Sequence, residues 1–196
     1  LVSNSSSKAT LSILGGTMTL NGGTVMVDQL IVTNITLGPA IRTNAFVYKS
    51  GVLNTKATAV TNGLPFVVGD GTNSATLNLL GGTHSFANGL AISSNASLTG
   101  TGTISASTTN AGIISPGSSA GKLTISVSLT LQPSSVLNLE LGGYVQGSQY
   151  DFISVSNAAA FAGKLIVSVI NGFQGTVTNG ASFTVLTVSS ISGAFG

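Results

Sequence analysis

The chain has 196 residues, enough for one domain with a substantial core, and 42% of them are hydrophobic. Only 5% are charged and there is no cysteine, against about 25% charge in ordinary soluble domains. This excludes a disulfide framework and a cysteine-based zinc or redox site. Six Lys/Arg against four Asp/Glu give a net charge of +2. The cations Lys8, Arg42, Lys49, Lys56, Lys122 and Lys164 are scattered, whereas a nucleic-acid groove needs them clustered. No run reaches the ~18 apolar residues of a membrane helix. An outer-membrane barrel would show aromatic girdles, and here aromatics are 6% with no Trp. Ser, Thr, Asn and Gly supply the polar surface, which suits strands stacked in register and favours self-association.

Residues 1–8 (LVSNSSSK) form a Ser-rich N-terminal arm. It packs along its own domain or pairs with a neighbouring subunit. The chain opens on Leu1 with no signal peptide, as expected of a processed product or a fragment. Residues 9–33 read as short strands with apolar pairs Leu11/Ile13, Met18/Leu20, Val25/Val27 and Leu30/Val32. Gly15-Gly16 and Gly22-Gly23 mark the corners between them. Residues 34–73 are the least regular stretch and close on Asp70-Gly71, a strong turn pair. Residues 75–143 alternate short apolar runs with Gly, Asn, Ser and Pro turns throughout. From Tyr144 onward the strands lengthen and most of the aromatics appear.

ATLSILGGT at residues 9–17 returns as ATLNLLGGT at 75–83, and LNLELGG at 137–143 echoes it. Internal repetition is the mark of a solenoid, and a coil of about 22 residues makes the offset three coils. The expectation is an all-β protein, a parallel β-helix (β-solenoid) with coils over residues 9–143. Residues 144–196 would supply the terminal coils and a C-terminal β cap or a small β-sandwich-like end.

Catalytic and metal chemistry find little footing. His84 is the sole histidine; the repeat sets it opposite Met18 in the coil wall, with no second His or Cys to share a metal. Asp28, Asp70, Glu140 and Asp151 are the only carboxylates and lie far apart in sequence. A glycoside-cleaving enzyme needs two acids brought together in a cleft by stacking. Asp70 reads as turn chemistry rather than as a calcium ligand. We expect no enzyme activity, no cofactor and no metal.

The runs ATLNLLGGTHSFANGLAISSNASLTGTGTI, ISPGSSAGKLTI and YDFISVSNAAAFAGKLIVSVINGF resemble the autotransporter-associated β-strand repeat proteins. More narrowly they are similar to the secreted PEP-CTERM-type members of verrucomicrobial and planctomycete bacteria. Ser115-Pro116-Gly117 followed by a Lys-Leu-Thr-Ile strand is the most specific element. The resemblance implies a right-handed parallel β-helix and a bacterial, secreted location at the cell surface or outside the cell. The sequence departs from it in showing no sorting tail or translocator barrel after Gly196.

The functional expectation is a structural subunit of an extracellular fibre or surface layer, a head-to-tail homopolymer joined through open solenoid edges and the arm. Leu1, Val2, Ser3, Asn4, Phe183, Val185 and Phe195 are the candidate self-association residues. The alternative is an adhesin or carbohydrate-binding module for a surface glycan, favoured if Tyr144 and Tyr150 are exposed together.

Overall fold

The structure is a computed structural model describing residues 8–37 and 40–196. Alternating apolar and small polar residues make strands, and Gly, Asn and Pro break them. In chain order these are β1 Thr10–Ile13, β2 Thr17–Val32, β3 Ile35–Leu37, β4 Ala40–Arg42, β5 Ala45–Val60 and β6 Phe66–Val68. Then come β7 Ala75–Phe86, β8 Leu90–Ile92, β9 Ala96–Ser105, β10 Thr108–Asn110, β11 Ile113–Pro116, β12 Lys122–Ile125 and β13 Leu129–Leu131. The last are β14 Val136–Leu141, β15 Phe152–Val155, β16 Ala158–Phe161, β17 Lys164–Val169, β18 Leu186–Thr187 and β19 Ser190–Gly193. Seventeen strands join one sheet, and β3 and β4 form a separate antiparallel hairpin.

The ladders of the large sheet are parallel, and each joins segments one full turn apart. The chain is therefore a β-solenoid with three faces. Face A stacks residues 24–27 of β2, 51–55 of β5, 75–79 of β7 and 96–100 of β9, then β11, β14 and β17. Face B stacks β1, 29–32 of β2, 58–60 of β5, 83–86 of β7, 102–104 of β9, β12, β15 and β18. Face C stacks 17–20 of β2, 45–48 of β5, β6, β8, β10, β13, β16 and β19. The sheet coils and does not close into a barrel.

The core is a set of aliphatic columns running along the axis. On face A, Val25, Leu53, Leu77, Leu98, Ile114, Leu137 and Leu165 are in register. The five middle members are buried. Fully burying such a side chain stabilises by about 1.5–3 kcal/mol each. Phe46, Phe66 and Phe86 continue the core beside face C, with ring centroids 5.9 and 5.0 Å apart.

Two corners need glycine. Gly82 (φ 68°) passes so close to the coil below that a Cβ would overlap the carbonyl of Lys56. Gly100 (φ 91°) stands in the same relation to the carbonyl of Leu79. A side chain there would meet both a left-handed backbone and a neighbouring coil.

The repeat is not the coil period. Residues 10–13 lie on face B, but 75–79 lie on face A. ATL-x-x-LGGT is thus a strand and corner used at two different corners of the triangle. The LNLELGG echo is a true equivalent, since Leu137 stacks on Ile114, Leu98 and Leu77. Coil length also varies, from a step of 16 (Ser97 to Ile113) to 28 (Val136 to Lys164) on face A. Only inward positions must repeat, so corners are free to lengthen. His84 accordingly stacks beside Thr58 on face B and not opposite Met18, which lies on face C.

Candidate functional site

Two features stand out: a groove along face A and an open strand edge at its end. The groove encloses about 600 Å³. Its floor is the outward side of six successive face A strands, from Val52 on β5 to Ile166 and Ser168 on β17. Alternation along a strand turns every second side chain outward, so stacking aligns Asn54, Asn78, Thr99 and Ser115 in one row. Asn78 Nδ2 donates to Asn54 Oδ1 (2.8 Å), and Thr99 Oγ1 donates to Asn78 Oδ1 (3.2 Å). Asn138 and Glu140 extend the polar floor on β14.

Residues 117–121, between β11 and β12, make the wall. Gly100 and Gly117 exchange backbone hydrogen bonds that pin the start of this segment. Asp151 clasps its end. The Gly121 N–H donates to Asp151 Oδ1 (2.7 Å) and the Glu140 N–H to Asp151 Oδ2 (2.8 Å). Asp151 N–H in turn donates to the Glu140 carbonyl (2.9 Å). Burial pushes the Asp151 carboxyl up to about 6 against the pull of its two backbone donors, and the negative charge of Glu140 adds to the rise.

Stacking has thus brought two of the four carboxylates together in a cleft. They are not equivalent. Asp151 is 1% exposed with both oxygens engaged, while Glu140 is half-buried and lines the groove. A glycoside-cleaving pair has to bring both carboxyls against the substrate. Asp151 is instead a clasp for the wall.

The other singled-out residues take structural places. Asp28 pairs with Lys56 Nζ at 2.7 Å and accepts the Ala9 N–H (2.8 Å), and Lys56 holds its carboxyl below the usual range. Asp70 Oδ1 accepts from Thr72 N (2.9 Å) and Asn73 N (2.8 Å), and these turn bonds, with those from both side chains, hold it well below the usual range. His84 is buried, with Nδ1 3.0 Å from Thr58 Oγ1 and Nε2 2.9 Å from the Gly81 carbonyl. Nε2–H therefore donates to Gly81, Nδ1 accepts from Thr58, and burial keeps the ring's affinity for a second proton below the ordinary value. Among the described residues no group of three or more His, Cys, Asp and Glu is placed to hold a metal.

At the C-terminal end, Tyr144, Tyr150, Phe173 and Phe183 pack together at centroid distances of 5.0–5.9 Å. They staple the long corner segments 142–151 and 170–185 to each other. Tyr144 is 51% exposed but Tyr150 is only 7% exposed, so the two do not form an exposed aromatic pair. Phe183 belongs to this cluster, Val185 packs on the core, and Phe195 stacks on Phe161 at 4.9 Å. Leu1, Val2, Ser3 and Asn4 lie outside the described residues.

The open edge lies elsewhere, on β17. This six-residue strand pairs with β14 on one side. Among the described residues no strand pairs with the other side. Every one of its residues is exposed, including Leu165, Ile166, Val167 and Val169. Leu165 and Val167 continue the inward columns of Leu137 and Leu139. The apolar run KLIVSV was visible in the sequence, but nothing there marked it as an edge.

No family model, curated protein or solved structure matches this chain. No helix among the described residues is long and apolar enough to cross a membrane.

Proposed function

We propose that this chain is a structural subunit of an extracellular fibre or surface layer that joins copies end to end by adding parallel strands to its open solenoid edge. The β17 edge carries this reading. A long, apolar strand with unpaired backbone groups is a template for another strand. Ending the columns at Leu165 and Val167 leaves core-type side chains in water, and a stacked neighbour would bury them. A contact between two different ends of one subunit does not close on itself, so it propagates as a filament. The near absence of charge and the resemblance of the repeat motifs to those of secreted bacterial repeat proteins support a location at or outside the cell surface.

The order of faces suggests what fills the seat over β17. Coils run C, A, B, and β1 lies on face B. We assign that seat to the N-terminal arm, residues 1–8 of a neighbouring copy, added as a strand to β17.

Electron microscopy and sedimentation velocity of the purified protein test the reading. Filaments, or oligomers growing with concentration, are expected. The double substitution Leu165→Lys/Val167→Lys abolishes them while leaving the circular dichroism spectrum unchanged. Monomers at every concentration would rule the reading out. Deleting residues 1–8 leaves folded monomers if the arm is the joining strand; undiminished filaments would remove the arm from the contact and leave the edge proposal standing.

A further inference from the structure

We infer that the groove on face A binds a single chain of a neutral, linear, β-1,4-linked polysaccharide, laid parallel to the solenoid axis. Its length comes first. Six strands at about 4.8 Å spacing span about 24 Å, and about 600 Å³ spread over that length is the width of one extended chain. A compact small ligand would leave most of it empty.

Chemistry comes second. The floor presents amides and hydroxyls in a row that recurs coil after coil: Asn78, Thr99, Ser115 and Asn138. Asn78 and Thr99 spend part of their capacity on each other. The side chains of Ser115 and Asn138 have no protein partner among the hydrogen bonds of the described residues. An array that both donates and accepts, at a fixed step, matches a polymer carrying hydroxyls at a fixed step. In an extended β-1,4 chain each pyranose advances the polymer by a distance close to the coil spacing and is flipped relative to the one before, so each sugar meets one coil and alternate sugars present the same edge to equivalent floor positions. The flat, straight ribbon of such a chain also suits a straight sheet.

Charge settles the subclass. Glu140 and Asp151 are the ionisable groups lining the groove, and neither Lys nor Arg lines it. A polyuronate would bring its carboxylates against Glu140 with no cation to receive them, a repulsion that costs affinity. A neutral polymer can use Glu140 as a hydroxyl acceptor, a charge-assisted bond.

This site lies along the side of the solenoid, so it stands or falls separately from end-to-end joining. Titration calorimetry reads binding whether the protein is monomeric or filamentous. The probes are cellohexaose, β-1,4-linked mannohexaose and β-1,4-linked hexamannuronate. Saturable heat with at least one neutral hexamer and none with hexamannuronate is the expected result. Asn138→Ala weakens binding by roughly three- to tenfold, the effect of one neutral hydrogen bond. Ser115→Trp, which fills the floor from an outward position, abolishes binding with the melting temperature unchanged. Thr124→Val, outward on face B, leaves it as it was. No heat with either neutral hexamer, tighter binding of hexamannuronate, or full binding by a folded Ser115→Trp variant would each overturn the assignment.

Discussion

The middle and the last coil of face A hold the same kind of residue in the same column, yet they live in different surroundings. Leu98 sits between Leu77 and Ile114 and is 0% exposed; Leu165 has Leu137 on one side only and is 38% exposed. Both follow the same alternation and both point along the same axis. What separates them is the coil on top. In a solenoid, burial is a property of stacking, and each coil completes the core of the one beneath it. The middle coils therefore act as scaffold, while the terminal coil is a surface that ordinary surface rules do not tolerate.

The sharpest way to break this comparison is to truncate both members. Leu98→Ala leaves a hole between two buried neighbours and is expected to cost about 2–5 kcal/mol. Leu165→Ala removes atoms already half in water and is expected to cost less than about 1.5 kcal/mol, measured on monomer by denaturant unfolding. Equal losses would mean that β17 is as well covered as the middle coils.

Next in size is the corner contrast. Gly100→Ala forces a Cβ onto the Leu79 carbonyl from a left-handed backbone. It is expected to destabilise by about 2–4 kcal/mol. Gly180 (φ 86°) has nothing within reach of a Cβ, so Gly180→Ala should cost only about 1 kcal/mol, the strain of positive φ alone. The difference in thermal melting midpoint measures how tightly coils press at a corner.

The effects of pH involve single groups, and they oppose each other. Burial lowers the His84 affinity for a proton below the ordinary value. The folded state therefore prefers the neutral ring. Its contribution is fully present above about 6.5 and is lost as pH falls from there through the lower folded value. Asp151 runs the other way. With its carboxyl raised to about 6, its contribution is fully present below about 3.9 and is lost as pH rises through 6. Melting temperatures of His84→Leu and Asp151→Asn across pH 4 to 8 should each lack one of these slopes. An unaltered profile in His84→Leu would show that the ring does not titrate with unfolding.

Much of the fold was legible. The alternation at Leu77/Leu79, Leu98, Leu123/Ile125 and Leu137/Leu139 reads directly as strand, because a period of two is a covalent fact of extended backbone. Glycine pairs and Asp70-Gly71 read as corners for the same local reason. The repeat at residues 9 and 75 misled, because the motif ATL-x-x-LGGT records a strand and a corner, which any of three corners can use. The groove was legible only in parts. Thr99, Asn138 and Glu140 are unremarkable polar residues in sequence, and no local pattern says that they share a floor.

The sequence by itself determined which residues turn inward, where the chain bends and how little charge its surface carries. All of these follow from neighbours in the chain. Register belongs to the tertiary structure alone. It decided that Asp151 reaches back to Gly121, that Glu140 lines the same groove as Asn78, and that β17 has one partner strand among the described residues. Those pairings join residues one or more coils apart, and the variable corners between them, from 16 residues to 28 on face A, erase any fixed spacing from which they could have been read.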